Sequence, residues 1–332
     1  MADVIDTALV DAAKKEGAIS SAGMPGSWAN WKGTWAALTS QYGLKHTDTE
    51  MSSAQQLAKF AAEKGDASDI GDVGAVFGVL AAEKGVTQPY KPSTWEQIPA
   101  WAKDRDGHWM LAYTGTIAFI VNKDLVKEGE RPKSWHDLEK GKYAVAIGDV
   151  GTAAQAACGV LAAAIAYKGD ENNIEPGLHL FTKLAQQGRL SLANPTPRTL
   201  EKGGIEVGVL WDFNALGYRD QIDAERFEVV IPSDGSVTSG YATVINKHAK
   251  NANAAKLVRE FILSDAGQTN LARGHARPIR AEHLTLPAEV QAKLLPNEQY
   301  QAAQPIKDAA AWEVTTRKLP QMWQEQVIIE ME

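Results

Sequence analysis

The sequence has a single cysteine, Cys158, among its 332 residues, so no disulfide can form within the chain. The small apolar residues around it indicate a buried structural thiol. No apolar run approaches the ~20 residues that a membrane-spanning helix needs. Residues 1–5 show neither the basic start nor the apolar stretch of a secretory signal. A cytoplasmic protein and an exported protein without its signal both remain open.

Positive charge is also scarce, because 34 Lys and Arg stand against 41 Asp and Glu, for a net charge of -7. A field of this sign repels phosphate backbones and anionic lipids, which argues against nucleic acid and membrane surfaces as partners. Hydrophobic residues make up 44% and charged residues 23%, which is ordinary for a soluble globular protein. The length is sufficient for two lobes with separate cores.

The motifs of common catalytic and metal sites are missing as well. There is no Walker loop, no Gly-x-Ser-x-Gly and no His-Glu-x-x-His. The histidines show no metal-ligand spacing, and no pair of carboxylates forms a recognisable catalytic arrangement. The sequence therefore predicts no enzyme activity, no metal and no cofactor, and an enzyme on a similar scaffold is kept only as an alternative.

Helix and strand signals alternate along the chain, which predicts an α/β fold. The predicted helices and the helical tail cover residues 6–15, 53–64, 151–166, 254–263 and 287–332. The predicted strands cover residues 18–22, 111–121, 143–147, 207–211, 227–231 and 239–245, and residues 70–74 are predicted to be a short strand and turn.

Ligands of α/β sheets lie beyond the carboxyl ends of strands, often at helix N-termini, and this rule selects six candidate ligand segments. Three come from the first part of the chain. The first is the Gly-rich turn with Gly26, Ser27 and Trp28, which is otherwise an ordinary strand-to-helix turn. The second holds Asp72 and Gly74, where the carboxylate accepts from an amine or a hydroxyl, or merely caps the next helix. The third is a strand segment with Thr114 and Thr116.

The other three segments follow later strands. Gly151, Thr152 and Gln155 combine free amides at a predicted helix start with a hydroxyl and no acidic side chain among residues 151–155, which suits an anion. Trp211, Asp212 and Asn214 place a carboxylate among aromatic residues, which suits an amine or a sugar hydroxyl. The last segment contains Thr238, Ser239 and Tyr241. Arg277 and Arg280 are further candidates for an anion, although both are expected to be solvated.

The order of several segments resembles a known family. These are the opening 12–17, the strand 114–125 with its Asn-Lys-Asp-Leu end, Pro-Lys-Ser-Trp-His-Asp-Leu at 132–138, the strand 239–245 and the helix pair 254–268. Together they resemble the solute-binding proteins of ATP-binding-cassette (ABC) importers. The closest cluster holds ferric-ion, hexose-phosphate, phosphonate and polyamine binders.

The resemblance implies a two-lobed periplasmic-binding-protein fold of type II, with two crossing hinge strands and a ligand cleft between the lobes. It assigns residues 1–116 and 246–286 to the first lobe, 117–245 to the second, and 287–332 to helices that pack on the lobes, the second in particular. It further implies a monomer that is exported to the periplasm, closes on a solute and delivers it to a membrane permease.

The nature of the solute depends on which candidate residues contact it. The helix start at Gly151 favours an anion, whereas Asp72 and Asp212 favour an amine or hydroxyls, so a small polar organic solute with a phosphate or phosphonate group is favoured. A polyamine or another amine or sugar is the alternative. Ferric ion is disfavoured, because the family's iron binders carry two adjacent tyrosines where this sequence has Tyr218 followed by Arg219.

Overall fold

The structure is a computed structural model that describes residues 5–62 and 68–331. The first part of the chain alternates helices and strands, and the eight elements are α1 (Thr7–Glu16), β1 (Ala18–Ala22), α2 (Trp31–Tyr42), β2 (Lys45–Thr49), α3 (Ser53–Ala61), β3 (Ile70–Gly74), α4 (Ala75–Glu83) and β4 (Trp109–Asn122). Asp6 caps α1 by accepting from the Ala8 amide, and Gly17 ends it in the left-handed conformation. The end predicted for α3 at Lys64 lies outside the described residues.

The middle of the chain continues the alternation with ten elements: α5 (Trp135–Lys140), β5 (Val145–Ala146), α6 (Ala154–Ala166), α7 (Glu175–Gln186), β6 (Leu190–Ser191), α8 (Pro197–Glu201), β7 (Val207–Trp211), α9 (Asp212–Ile222), β8 (Phe227–Val230) and β9 (Ser236–Ile245). Helix α6 begins at Ala154, so the predicted start at Gly151 is wrong. The cause is local: the Asp149 side chain and carbonyl bind the amides of Gly151, Thr152 and Ala153 in a separate turn.

The last part of the chain contains α10 (Ala252–Leu263), α11 (Asp265–Arg273), β10 (Arg277–Pro278), α12 (Ala288–Gln291), β11 (Ala303–Pro305) and α13 (Ala309–Gln326). The tail was predicted to be helical throughout, and this is wrong at β11, which pairs with β9 in parallel. Within the described residues, no helix combines the length and the apolar character that crossing a bilayer requires.

Two compact units divide the chain, unit 1 with Met1–Thr114 and Gly240–Leu294, and unit 2 with Gly115–Ser239 and Leu295–Glu332. The first two boundaries fall inside β4 and β9, so each of these strands contributes residues to both units. The lobe boundaries and the packing of the tail predicted from the sequence stay predictions.

The sheet of unit 1 begins with parallel strands in the order β2–β1–β3. Strand β9 follows antiparallel to β3, with Gly74 opposite Tyr241, and β4 lies beside β9. Strand β10 pairs with β4 and places Arg277 opposite Thr114. Helices α1 and α10 pack against each other. The carboxyl end of β3 and the Tyr241 end of β9 are therefore neighbours at one edge of this sheet.

The sheet of unit 2 has β4 between β7 and β8, both antiparallel to it, and β5 and β6 continue in parallel beyond β7. Its hydrophobic core is formed by strands of this sheet together with α9. It includes Ile120, Leu210, Leu216, Phe227 and Val229. The largely buried helix α6 packs on α7 and β7. Strand β7 ends at the residue before α9 begins, so Trp211 and Asp212 stand at a strand-to-helix junction.

Candidate functional site

The loop from Gly23 to Asn30 leaves β1 and carries three of the predicted site residues. Gly23 has φ of +66°, where a Cβ would also lie 2.2 Å from the Gln56 Nε2 atom, so the position requires glycine. The Met24 amide donates to Asp48 Oδ1 at 3.0 Å, which fixes the start of the loop. Gly26 and Ser27 are exposed and Trp28 is half-buried. The loop therefore has a fixed start at Gly23 and Met24, followed by an accessible segment at residues 26–28.

A chain of hydrogen bonds connects this loop to the end of β3. The Trp28 Nε1–H donates to the Tyr113 hydroxyl at 2.6 Å, and that hydroxyl donates to Asp72 Oδ2 at 2.8 Å. Tyr113 is fully buried and Asp72 is only 4% exposed. A half-buried indole is thus linked to a buried carboxyl through one phenol.

Aromatic rings enclose the same chain. Tyr241 stacks on Tyr113 with centroids 5.5 Å apart, and Trp28 meets Tyr241 edge-on at 5.6 Å. Trp31 approaches Tyr113 edge-on at 6.0 Å. Such offset and edge contacts are favourable for aromatic pairs and add to the energy of burial. Trp28, Trp31 and Tyr241 therefore enclose Tyr113, whose hydroxyl binds Asp72, within unit 1.

The state of Asp72 follows from this enclosure. Burial raises the pKa of the Asp72 carboxyl well above its usual range, and the charge of Asp48 adds to the rise, whereas the Tyr113 hydroxyl and the Trp31 indole act in the opposite direction. The Trp31 Nε1 and Asp72 Oδ1 atoms are both buried, and neither makes a hydrogen bond of normal geometry to the described residues. The enclosure of Asp72 therefore favours the protonated form of its carboxyl more than exposure to water would.

Helix α4 begins at the end of β3, two residues after Asp72. Gly74 is its N-cap and, within the described part of the chain, no side chain caps this end. The Gly74 amide itself donates to Ser53 Oγ at 3.1 Å. The first amides of the helix point out of its N-terminus, where they and the helix dipole attract negative groups. Thr114, the remaining prediction in this unit, is buried on β4.

In unit 2 the carboxylate of Asp212 is already used inside the fold. Its Oδ1 accepts from the amides of Thr116 and Phe213 at 3.0 and 2.9 Å, and its Oδ2 accepts from the Tyr300 hydroxyl at 2.6 Å. Asp212 is 1% exposed. These bonds join β4, α9 and the segment before β11, which is a structural role.

The remaining predicted residues of unit 2 belong to the strand ends and helix α9 around Asp212, or to helix α6. Trp211 is buried, Asn214 is half-buried one turn into α9, and the Thr116 and Thr238 hydroxyls are 2.9 Å apart, with Ser239 next along β9. The Gln155 amide donates to the Ile147 and Val209 carbonyls at 3.0 and 2.5 Å.

The predicted anion segment at Gly151 also has an acidic neighbour that the sequence analysis passed over. Asp149 accepts from the Gly151 amide and from the Thr152 hydroxyl, both at 2.9 Å. The Asp149 carboxylate therefore already binds the amide and the hydroxyl that were expected to bind an anion. An acidic residue two positions before a glycine turn is a visible sequence signal for such a bond.

One arginine prediction is wrong. Arg280 is 2% exposed rather than solvated. Its guanidinium donates to Gln97 Oε1, to the Leu263 carbonyl and to Asp265 Oδ1. Arg277 is half-exposed on β10. Across the described residues there is no cluster of three His, Cys, Asp or Glu side chains that could hold a metal ion.

Comparison with known proteins gives the family. The model for bacterial extracellular solute-binding proteins matches residues 67–313. The chain belongs to this family. A protein named as a probable ABC transporter periplasmic-binding protein, y4fP of Sinorhizobium fredii, is 28% identical over 163 residues, which cover 47% of this chain and 44% of that protein. The chain thus matches less than half the length of this relative.

Two solved structures show the same fold. Periplasmic binding protein AfuA of Actinobacillus pleuropneumoniae, with exogenous fructose-6-phosphate bound, has a TM-score of 0.71 at 18% identity, over 93% of this chain and 98% of that one. The spermidine/putrescine ABC transporter substrate-binding protein PotD of Streptococcus pneumoniae has a TM-score of 0.74 at 15% identity, over 95% and 99%. The family resemblance and the fold class predicted from the sequence are confirmed. Members of the family are extracellular or periplasmic binding proteins for transport, not enzymes.

Proposed function

We propose that this solute-binding protein captures a small polar organic solute with a phosphate or phosphonate group and delivers it to the permease of an ABC importer. It does so as a periplasmic monomer and catalyses no reaction. The observation that carries the proposal is the N-terminus of α4, which has no side-chain cap at Gly74 and lies two residues from the buried carboxyl of Asp72.

The charge state of Asp72 resolves a conflict in the sequence. A carboxylate at this position would repel an anion at the neighbouring helix start. Burial raises the pKa of Asp72 well above its usual range, which favours the protonated carboxyl and so reduces the repulsion of a phosphate at the amides of α4. Glycine at position 74 leaves room for the ligand, since a Cβ there would meet other atoms no closer than 3.8 Å.

The start of α6 in unit 2 is a poorer anion site. Asp149 binds the Gly151 amide and the Thr152 hydroxyl, and its negative charge opposes a second anion there. We therefore place the phosphate or phosphonate group at α4 in unit 1. Gly151, Thr152 and Gln155 remain candidates for contacts with uncharged parts of the solute.

A polyamine is the second candidate, and the aromatic rings favour it. Trp28 and Tyr241 are partly exposed rings in edge contact with each other, and aromatic rings attract ammonium groups. Tyr113 connects Trp28 to the carboxyl of Asp72. The similarity to PotD is consistent with this choice at the level of the fold. An ammonium close to Asp72 would restore the ionised carboxylate, so the two candidates differ in the charge that they require at one residue.

A thermal-shift screen tests the proposal. The panel is fructose 6-phosphate, 2-aminoethylphosphonate, spermidine, glucose and ferric ion. A bound solute at about a hundred times its dissociation constant adds roughly 2.7 kcal/mol to stability. Stabilisation by a phosphate or phosphonate compound alone supports the proposal, and stabilisation by spermidine alone replaces it with the polyamine. If no panel member stabilises the protein, the proposed solute class is wrong.

The variant Gly74→Asp tests the place of the phosphate. The backbone of Gly74 suits any residue, and an aspartate is a favourable N-cap, so the fold should be kept. Its carboxylate occupies the helix start and should weaken phosphate binding about tenfold or more, by charge repulsion and by competition for the amides. Gly74→Asn is the matched control, because it caps without charge and should lose distinctly less. Equal losses in both variants would contradict an anion at this site.

A further inference from the structure

Trp28 is the accessible end of a hydrogen-bonded chain whose other end is buried. Its indole N–H donates to Tyr113, and Tyr113 donates to Asp72. Trp28 is half-buried, whereas the two residues behind it are almost completely enclosed. A solute that reaches this part of unit 1 meets the indole before it can meet the carboxyl.

We propose that Asp72 is a positioning residue for solute binding, which acts through Tyr113 to fix the indole of Trp28 and does not contact the solute itself. This inference rests on the proposed function, since it concerns the same binding site in unit 1. It assigns to Tyr113 a role that the sequence did not indicate, and it replaces the direct contact expected of Asp72.

The geometry of the carboxyl carries the first step. Oδ2 accepts from the Tyr113 hydroxyl, and Oδ1 is buried without a hydrogen-bond partner among the described residues. An atom that solvent does not reach is also closed to a solute. The carboxyl therefore makes no direct contact with the solute and, apart from its charge, affects binding through the groups that it orients.

The second step is the restraint on the indole. A hydrogen bond at 2.6 Å fixes the Nε1 edge of Trp28, and the Tyr241 ring meets the same indole at an interplanar angle of 80°. Tyr241 in turn stacks on Tyr113 at 17°. Tyr113 thus supports Trp28 both by its hydroxyl and through Tyr241, and Asp72 holds that hydroxyl in place. An indole held in this way loses little freedom when a solute binds, which favours affinity.

The main chain at the start of the Gly23–Asn30 loop is held by other residues. Release of the Trp28 indole can therefore be separated from movement of the loop. Gly23 donates to the Thr49 carbonyl at 3.0 Å, and Met24 donates to Asp48. Trp35 donates to the Met24 carbonyl at 3.4 Å. Removing the Tyr113 hydroxyl should therefore release the indole while the start of the loop stays where it is.

Nuclear magnetic resonance of the indole N–H groups tests the link in the protein without solute. Trp28→Phe assigns the Trp28 signal, and Trp101→Phe is the matched control at an indole that is 48% exposed. In Tyr113→Phe and Asp72→Ala the Trp28 signal should shift and exchange with water about tenfold faster or more. In Asp72→Asn it should stay near its original position, since the amide oxygen still accepts from Tyr113. A Trp28 signal that is unchanged in Tyr113→Phe and Asp72→Ala overturns the inference.

Affinity measured by calorimetry tests the consequence, with whichever of fructose 6-phosphate, 2-aminoethylphosphonate and spermidine binds the wild type. Tyr113→Phe and Trp28→Phe should each weaken binding about tenfold. The double variant should be no weaker than either single one, because both changes break one chain. Asp72→Asn should restore most of the affinity lost in Asp72→Ala, and its failure to do so would overturn the positioning role.

Melting temperatures separate positioning from a general loss of stability. A purely structural role would lower the melting temperature in Tyr113→Phe and leave the affinity of the folded protein unchanged, which would also overturn the inference. If no panel compound binds the wild type, the proposed solute class fails, and the Trp28 signal still decides whether Asp72 and Tyr113 fix the indole.

Discussion

Asp72 shows how burial sets the chemical state of a single residue. Its pKa in the folded protein is raised well above the value of about 3.9 for an exposed aspartate. The folded state therefore holds this proton more tightly than the unfolded state. The contribution of Asp72 to stability is complete below about pH 4 and is lost as the pH rises through the raised pKa.

Asp72→Asn removes this titration, which predicts how the difference in melting temperature between the variant and the wild type depends on pH. The melting temperature of the variant minus that of the wild type should rise between about pH 4 and pH 8, because only the wild type must take up a proton at this position when it folds at the higher pH. Melting curves of both proteins in the same buffers measure the difference, and all other titrating groups cancel. A difference that does not change with pH would mean that Asp72 keeps an ordinary pKa.

Cys158 illustrates a residue whose state was predicted correctly. The sequence indicated a buried thiol from its apolar neighbours, and the side chain is 5% exposed on α6. Burial raises the pKa of Cys158 to about 12, so about a thousandfold less thiolate is present at pH 8 than for an ordinary thiol. Ellman's reagent should detect no thiol in the native protein and one per chain in guanidinium, with Cys158→Ser as the blank. Rapid native labelling would contradict this burial.

Tyr113 illustrates a residue that the sequence could not single out. It lies in a strand in which every residue from Met110 to Asn122 is buried. A strand enclosed on both faces has no alternation between apolar and polar positions, so nothing distinguishes a tyrosine with a functional hydroxyl from one of the core. Asp72 was found because a carboxyl at the end of an apolar strand is conspicuous. Its raised pKa depends on distant residues and was not visible in the sequence.

At the scale of elements, the strands bounded by glycine or by a clear polar residue were predicted best. The bounds of β1 and β7 agree with the prediction, whereas β3 runs through Gly74 where a turn was expected. Short apolar runs with such ends are strong strand signals. Strand β2 was missed, because Lys45–Thr49 contains no apolar residue and its side chains are exposed or half-exposed at the sheet edge. Its strand conformation comes from pairing with β1, which is a tertiary effect.

Arg259 connects three elements of unit 1 and supports a prediction about stability. It is fully buried on α10 and donates to the Thr243 hydroxyl and carbonyl on β9 and to the carbonyls of Tyr90 and Gly107. Burial lowers the pKa of Arg259 to about 9, so it is still charged at pH 7.

Arg259→Met would leave these acceptors buried without a donor and should lower the free energy of unfolding by about 3 kcal/mol or more. The free energy of unfolding of Arg259→Lys should fall between those of the wild type and Arg259→Met, since one ammonium cannot reach all the acceptors. Lys256→Met on the same helix is the control, at a partly exposed position, and should change stability by less than about 0.5 kcal/mol. Denaturant unfolding measures all three, and a small effect of Arg259→Met would mean that water replaces the guanidinium.

At the scale of the whole molecule, the order of segments was sufficient to predict the family, because the resemblance is spread over the chain and the family match covers residues 67–313. The solute was not predictable in the same way. It depends on a few groups: burial in the fold raises the pKa of Asp72, and Asp149, for which no role was predicted, binds the Gly151 amide.

The net charge of -7 gives a last prediction that separates the two solute classes by kinetics. A protein of this charge repels an approaching anion and attracts a polyamine over roughly one Debye length, which shrinks from about 30 Å at 0.01 M salt to about 8 Å at 0.15 M. The association rate constant of fructose 6-phosphate or 2-aminoethylphosphonate should therefore rise about two- to threefold over this range of salt, whereas that of spermidine should fall. Stopped-flow tryptophan fluorescence measures the rates, and glucose serves as the uncharged control. A rate for the phosphate that falls with salt would mean that local positive groups outweigh the charge of the molecule as a whole, and the α4 helix start would then not be the main attraction for the anion.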